Sequence, residues 1–228
     1  MCRFASAIFL RNGDMIADFA NTDSHAELAE AFGLARSEMQ AIRHEFVRVE
    51  LVPSENWADV SSYRFILDEE HAPDWADSDF LAKAERTIRA AVNRMIVRDS
   101  RQLLLGGCWI LAESVKIAST KNARIVQMLG SSSVNQMLGS SRVDLMLGSS
   151  SVNQMLGSSR VDLMRDSSRV DLMRDSSSVN QMLDSSRVDL MRDSSSVKEM
   201  WGSSSVNQMR GSSRVKEMRD SSTAPRRP

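Results

Sequence analysis

The side chains best suited to metal binding are few in this sequence of 228 residues. The three histidines are His25, within TDSHAEL, His44, within IRHEF, and His71, within DEEHAPDW. They could form a metal site with neighbouring carboxylates, but their spacing matches no metal-binding motif. We therefore interpret all three as surface histidines and predict no metal site.

The two cysteines, Cys2 and Cys108, lie too far apart in sequence for a metal or redox motif. Cys108 lies in the apolar stretch GGCWIL, which predicts a buried, unreactive thiol rather than a nucleophile. Reduced thiols fit a cytosolic protein. Because the sequence also lacks glycine-rich nucleotide-binding motifs, we predict no catalytic residue, no cofactor and no enzymatic activity.

An acidic cluster between Asp68 and Asp79 also includes Glu69, Glu70 and Asp74. It has two interpretations, a solvated loop and helix start favoured by the helix dipole, or a docking patch for a basic partner. The formal net charge of the whole chain is −1. This near-balance of charge predicts neither a strongly basic surface that binds phosphates nor a strongly acidic surface that mimics nucleic acid. We therefore expect no nucleic-acid partner.

The elements that position these side chains fall into two regions. The order of strand-like and helix-like segments in residues 1–102 predicts a small α+β domain. In it, ASAIFL and MIADFA are strands joined at an Asn-Gly hairpin, and FVRVELV and YRFIL are further strands. Asp23 or Ser24 opens one helix, SEMQAIRHEF forms a second, and Asp77 or Ser78 opens the longest.

The second region is repetitive. After a capping or junction segment at 103–121, nonapeptides of consensus S-S-[SR]-V-[NDK]-[QLE]-M-[LRW]-[GD] fill residues 122–220, and a Pro/Arg tail follows at 221–228. A helix would place successive Val residues on opposite faces, and Ser and Gly lower its propensity. Disorder is the main alternative, because the segment is rich in Ser and low in complexity. The strict phase of Val and Met favours a parallel β-solenoid instead.

In this solenoid, one strand per nonapeptide directs the second Ser, Val and Met inward, and Gly or Asp at position nine makes the turn. Nine residues are few for a filled coil, so we favour two nonapeptides, about 18 residues, per coil. About five coils would then give a stack of about 25 Å. The predicted core ladder consists of Ile125, Met128, Val134, Met137, Val143, Met146, Val152, Met155, Val161, Met164, Val170, Met173, Val179, Met182, Val188, Met191, Val197, Met200, Val206, Met209, Val215 and Met218.

A family resemblance rests on QLLLGGCWIL, at 102–111, running into NARIVQMLGSSSVNQM, at 122–137. These stretches resemble uncharacterised phage and prophage proteins that pair a small N-terminal domain with a tail of short repeats. The resemblance implies the architecture and a phage origin, and carries no activity. The calcium-binding repeats of toxin β-rolls do not match, because their G-G-x-G-x-D ligand sequence is absent.

Position eight of the repeat varies between Leu and Arg, with one Trp. An outward-facing position of this kind could recognise a protein, or its variation could merely follow repeat duplication. The candidate interaction surface comprises Trp201, Arg165, Arg174, Arg192, Asp68, Glu69 and Glu70.

We therefore expect a non-enzymatic interaction or scaffold protein that presents the solenoid to a protein partner or associates with itself. The alternative is a binding module whose N-terminal domain captures a small ligand or host factor, with the solenoid setting the oligomeric state. An exposed coil edge would allow homo-oligomers unless Pro225 and Pro228 block it. No stretch has the apolar length of a membrane span, so we expect the bacterial cytoplasm or a virion.

Overall fold

A computed structural model describes residues 5–34, 45–69 and 72–225 of the chain. The chain divides into two compact units, Met1–Met95 and Ile96–Pro228, called here the head and the solenoid. The predicted fold class, an α+β domain followed by a parallel β-solenoid, is confirmed. The predicted domain boundary at residue 102 is corrected to Met95, because the strands that follow Met95 already belong to the solenoid sheets.

The strands of the head are β1 (Ala5–Leu10), β2 (Met15–Ile16), β3 (Phe46–Val52) and β4 (Arg64–Leu67). They form a four-stranded antiparallel sheet with strand order β2-β1-β3-β4. The apolar residues of β3 that alternate along one face, Val47, Val49 and Leu51, are buried. Gly13, at a φ of 91°, turns the chain at the predicted Asn-Gly hairpin.

Two α-helices and one 3₁₀ turn complete the described part of the head. Helix α1 (His25–Ala31) begins after Ser24, whose hydroxyl accepts a hydrogen bond from the Glu27 amide, as the sequence predicts. Helix α2 (Ser78–Met95) follows Asp77, whose carboxylate accepts from the Phe80 amide at 2.8 Å. The 3₁₀ turn is Val60–Ser62. The predicted SEMQAIRHEF helix lies mainly outside the described residues.

The solenoid has two parallel sheets that receive alternate strands of the chain. One sheet, called here the odd sheet, contains β5 (Ile96–Val97), β7 (Cys108–Leu111), β9 (Arg124–Met128), β11 (Arg142–Met146), β13 (Arg160–Met164), β15 (Ser178–Met182), β17 (Ser196–Met200) and β19 (Arg214–Met218). The even sheet contains β6 (Arg101–Leu105), β8 (Lys116–Lys121), β10 (Ser133–Leu138), β12 (Ser151–Met155), β14 (Arg169–Met173), β16 (Arg187–Met191) and β18 (Ser205–Met209).

Each coil therefore holds two nonapeptides, and equivalent residues stack 18 positions apart. Val134 pairs with Val152 in the even sheet, and Val143 pairs with Val161 in the odd sheet. The stack has about seven coils rather than the five expected. The difference arises because the junction segment, which the sequence set apart as a cap, itself contributes strands β6, β7 and β8 to the two sheets.

The solenoid core is formed by the predicted Val and Met ladder. All of its members from Ile125 to Val206 are buried, whereas Met209 and Val215 are partly buried and Met218 is 43 % exposed, because they lie in the last coils. Val and Met are three residues apart, so strict alternation would place them on opposite faces. Their common burial shows that the alternation is interrupted between positions four and seven, as the sequence required.

Turns at position nine close each half coil. All Gly and Asp residues at this position from Gly130 to Asp220 have φ between 54° and 67°, the left-handed region that favours these residue types. The amide of the Ser at position two then donates to the carbonyl of position eight, as Ser132 does to Leu129 at 3.0 Å. The turn chemistry inferred from the consensus is confirmed.

Candidate interaction surface

The outer face of the odd sheet carries a zipper of paired charges. Arg at position three of the repeat pairs with Asp at position five, both in its own strand and in the strand one coil later. Asp144 accepts from Arg124 at 2.8 Å and from Arg142 at 2.7 Å, and Arg142 also reaches Asp162 at 2.5 Å. Arg160 pairs with Asp162 as well. Each Asp thus joins neighbouring coils and satisfies the Arg residues beside it.

A second zipper lies on the even sheet, further along the solenoid. Here Arg169 pairs with Asp171, and Asp189 lies 2.8 Å from Arg187 and 3.6 Å from Arg169. The hydrogen bond from Arg169 to Asp171 raises the pKa of the Arg169 guanidinium.

The change of face follows from the repeat order. VDLM copies occupy alternate nonapeptides up to residue 166, so with two nonapeptides per coil they all fall in the odd sheet. A further VDLM copy at 167–175 breaks the alternation and moves the next Arg–Asp pairs to the even sheet. The break in the repeat order thus moves the Arg–Asp pairs from the odd sheet to the even sheet.

An open polar groove of about 510 Å³ follows the exposed first-position serines Ser149, Ser167 and Ser185. Arg169 and Arg187 also line it, and both are paired with the aspartates of the second zipper. The groove lining contains no histidine, cysteine or carboxylate that could act as a general base toward the serines. The groove is therefore an open polar surface between the side chains of successive coils.

The position-eight residues lie at the corners of the coil, where the strands end. Those that follow odd-sheet strands form one column, Leu129, Leu147, Arg165, Leu183, Trp201 and Arg219. Those that follow even-sheet strands form the opposite column, Leu138, Leu156, Arg174, Arg192 and Arg210. The predicted candidates therefore separate: Trp201 and Arg165 share one corner, and Arg174 and Arg192 share the other.

The corner formed by Leu183, Trp201 and Arg219, called here the tryptophan corner, combines apolar, aromatic and basic side chains in three consecutive coils. The Arg219 guanidinium lies over the Trp201 ring at 4.5 Å from its centroid. Trp201 is partly exposed beside it. A cation held over an indole face is a stable arrangement that keeps both side chains ordered at the surface.

The opposite corner, Leu138 to Arg210, changes from apolar to basic along the solenoid. Arg174 lies 3.8 Å from Asp193, and Arg210 lies 3.5 Å from the Gln208 side-chain oxygen. Arg165, in the first column, has a similar distance of 3.8 Å to Asp184. Such long, exposed pairs contribute little to stability, so these arginines stay available to a partner.

The predicted acidic patch in the head has an internal role. Glu69 accepts two hydrogen bonds of 2.9 Å from the Arg48 guanidinium and one of 3.2 Å from the Arg48 amide. Asp68 lies 3.2 Å from His25. Glu70 lies outside the described residues. Asp68 and Glu69, the described head residues of the candidate interaction surface, are therefore engaged within the head, and no local pattern signalled their distant partners His25 and Arg48.

His25 departs most from its predicted surface position. Its side chain is only 6 % exposed, and its Nε2 lies 3.0 Å from the Val49 carbonyl oxygen of strand β3. Helix α1 places it there because the apolar residues Leu28 and Ala29 pack against Ile8 and Phe46 and turn the start of the helix onto the sheet. His44, His71 and Cys2 lie outside the described residues, and Cys108 is buried, as predicted.

Comparison of the chain with models of protein families, with curated proteins and with solved structures gave no match. Among the described residues, no helix combines the length and apolar character needed to cross a membrane.

Proposed function

We propose that the protein is a non-enzymatic interaction scaffold of phage or prophage origin whose solenoid presents the tryptophan corner to a protein partner. The observation that carries the proposal is Trp201, the one aromatic residue at position eight, partly exposed between Leu183 and Arg219. Trp and Arg are the residues that most often dominate protein interfaces. The phage origin rests on the resemblance of the junction and repeat sequences, with action in the bacterial cytoplasm or a virion.

The two faces of the solenoid are less suited to this role than the corner. On both faces the Arg and Asp side chains pair with one another within and between coils, so a partner would have to break those pairs. The Leu183 and Trp201 side chains bring apolar area that a partner can bury without such a loss. The regular stacking beneath them keeps the corner rigid, which lowers the entropic cost of binding.

Affinity capture with the full chain tests the assignment. We expect a partner retained by the natural protein to be lost from Trp201→Ala and kept by Arg192→Ala, because Arg192 occupies the same repeat position on the opposite corner. Equal capture by all three proteins, or equal loss from both variants, would contradict the proposal.

Self-association through the last coil is a second candidate function. Within the described residues, β19 has a strand partner on one side only, β17, and Met218 at its end is exposed. An unpaired edge of this kind is a template for another strand. Thr223 covers only the beginning of the neighbouring edge, where it pairs with Ser205.

The β19 sequence, RVKEM, is complementary to itself in the antiparallel direction. If two copies meet across a two-fold axis, one register sets Val215 opposite Met218 and Lys216 opposite Glu217. In that register inward residues face inward residues and opposite charges face each other. Two solenoids would then continue each other's odd sheet and core.

Mass-based sizing of a charge-swap series tests this candidate. Glu217→Lys or Lys216→Glu alone would oppose like charges, and we expect the dimer to dissociate in each case. The double variant restores complementarity and should restore the dimer. A natural protein that stays monomeric, or dimers that persist in both single variants, would exclude this register.

A further inference from the structure

We propose that the head binds a divalent metal ion of the zinc class through His25, Glu50 and Asp68. One ligand atom from each of these three side chains lies within 4.8 Å of the others. Imidazole nitrogen and carboxylate oxygen are ligands that Zn²⁺ accepts, usually in four-coordinate sites. Three protein ligands leave one position for water or for a ligand.

The hydrogen bonding of His25 prepares its other nitrogen for a metal. The Val49 carbonyl oxygen can only accept, so the Nε2 atom 3.0 Å away carries the proton. In the neutral ring, Nδ1 then presents its lone pair to Asp68 Oδ2 at 3.2 Å. Two lone pairs at this distance repel unless a cation lies between them or the ring takes up a second proton.

The distance itself fits shared coordination. Zn–N and Zn–O bonds of about 2.0–2.1 Å at a tetrahedral angle place the two ligand atoms about 3.3 Å apart. Histidines that bind metals almost always donate their second N–H to a carbonyl or carboxylate, which fixes the ring orientation. The bond from His25 to Val49 is of this kind.

The three ligands come from different elements, and the backbone holds each of them. His25 begins helix α1, Glu50 lies in strand β3, and Asp68 follows strand β4. The Asp68 amide donates to the Arg48 carbonyl at 2.9 Å, which fixes this residue at the end of the strand. The site thus rests on paired strands rather than on a loose loop.

Ser6 provides an independent observation at the same place. It pairs with Glu50 across strands β1 and β3, so the two side chains lie on the same face of the sheet. The Ser6 hydroxyl is fully buried and has no hydrogen-bond partner in the structure. A buried orphan hydroxyl is costly, and a water molecule on the metal would satisfy it.

The competing explanation is a protonated His25 that pairs with Asp68 without any metal. Zinc titration of the metal-free full chain separates the two, followed by calorimetry and by thermal unfolding. We expect Zn²⁺ to raise the unfolding temperature of the natural protein. Asp68→Asn or Glu50→Gln should raise the dissociation constant for Zn²⁺ at least about tenfold. Both changes keep the shape of the side chain, and His25 stays intact.

Glu55→Gln, which removes a carboxylate from the same domain outside the cluster, is the matched control and should bind Zn²⁺ like the natural protein. Co²⁺ should give visible absorption bands typical of four-coordination, which Asp68→Asn abolishes. A chain that binds no Zn²⁺, or a zinc-induced stabilisation that survives both ligand changes, would overturn the proposal.

Discussion

The Gly148 amide donates a 2.8 Å hydrogen bond to the carboxylate of Asp166, its counterpart one coil later. The same contact joins Gly157 to Asp175 at 2.8 Å, and Gly202 to Asp220 at 3.0 Å. Asp at position nine therefore serves two purposes, since it adopts the positive φ of the turn and caps the turn of the coil before it.

Two replacements of Asp166 test whether its turn conformation and its hydrogen bond to Gly148 stabilise the fold. Asp166→Ala loses the cap and places a residue unsuited to positive φ in the turn, so we expect a loss of about 1–2 kcal/mol in the free energy of unfolding. Asp166→Asn should cost much less, because Asn tolerates this φ and its amide oxygen can also accept a backbone N–H from a neighbouring coil, as Asn122 accepts the Ser140 amide at 3.0 Å. Urea unfolding measures both, and equal losses would show that the cap contributes nothing.

Burial of the Met ladder predicts a position-dependent cost for one chemical change. Met164 is fully buried, whereas Met218 occupies the same repeat position and is 43 % exposed. We expect Met164→Ala to lower the free energy of unfolding by about 2–5 kcal/mol and Met218→Ala by about 1 kcal/mol or less. Similar losses at the two positions would contradict a core that ends at the last coil.

The buried serines at position two behave differently from the Met ladder. The Ser168 hydroxyl is buried without a hydrogen-bond partner in the structure, whereas the Ser141 hydroxyl donates to the Leu138 carbonyl at 2.8 Å. Ser168→Ala should therefore be neutral or stabilising by up to about 1 kcal/mol, and Ser141→Ala should cost about 1 kcal/mol. A clear loss of stability in Ser168→Ala would mean that this hydroxyl is hydrogen-bonded after all.

The repeat was the informative part of the sequence. Nine residues with Val and Met in fixed phase determine the inward faces, and Gly or Asp at position nine determines the turns, because each local preference is repeated in every coil. The same regularity hid the boundary. The strands Arg101–Leu105 and Cys108–Leu111 stack like the repeats but do not share their consensus, so the sequence set them apart.

The candidate sites were harder to predict because they depend on distant residues. That Trp201 and Arg192 lie on opposite corners follows from two nonapeptides per coil, a number that the sequence favours and the strand pairing establishes. His25 looked like a surface residue because its neighbours in sequence are polar. Its burial arises from the docking of α1 on strand β3, and no local pattern signals which helix start will face a sheet.

The Glu199 carboxylate contributes a component of stability that depends on pH. The hydrogen bond from Gln181, at 2.8 Å, and the contact with Lys198 lower the pKa of Glu199 below its ordinary value of 4.5. The carboxylate therefore stabilises the fold at neutral pH, and this contribution is lost as the pH falls from 4.5 through the lower pKa of the folded state.

Gln181→Leu tests this component, since Leu occupies the same repeat position at Leu163 and Leu190. Urea unfolding at neutral and acidic pH should show a smaller fall in stability toward acid in Gln181→Leu than in the natural protein. Identical pH profiles would show that Gln181 does not stabilise the Glu199 carboxylate.

Site-specific photo-cross-linking tests the interaction scaffold most directly. A photoreactive residue replaces Leu183, which adjoins Trp201 on the tryptophan corner, or Arg192, on the opposite corner, in the full chain within the cells that naturally express it. We expect a strong cross-link from position 183 to a different protein, and little or none from position 192. Cross-links of equal yield from both positions, or none from position 183, would contradict it.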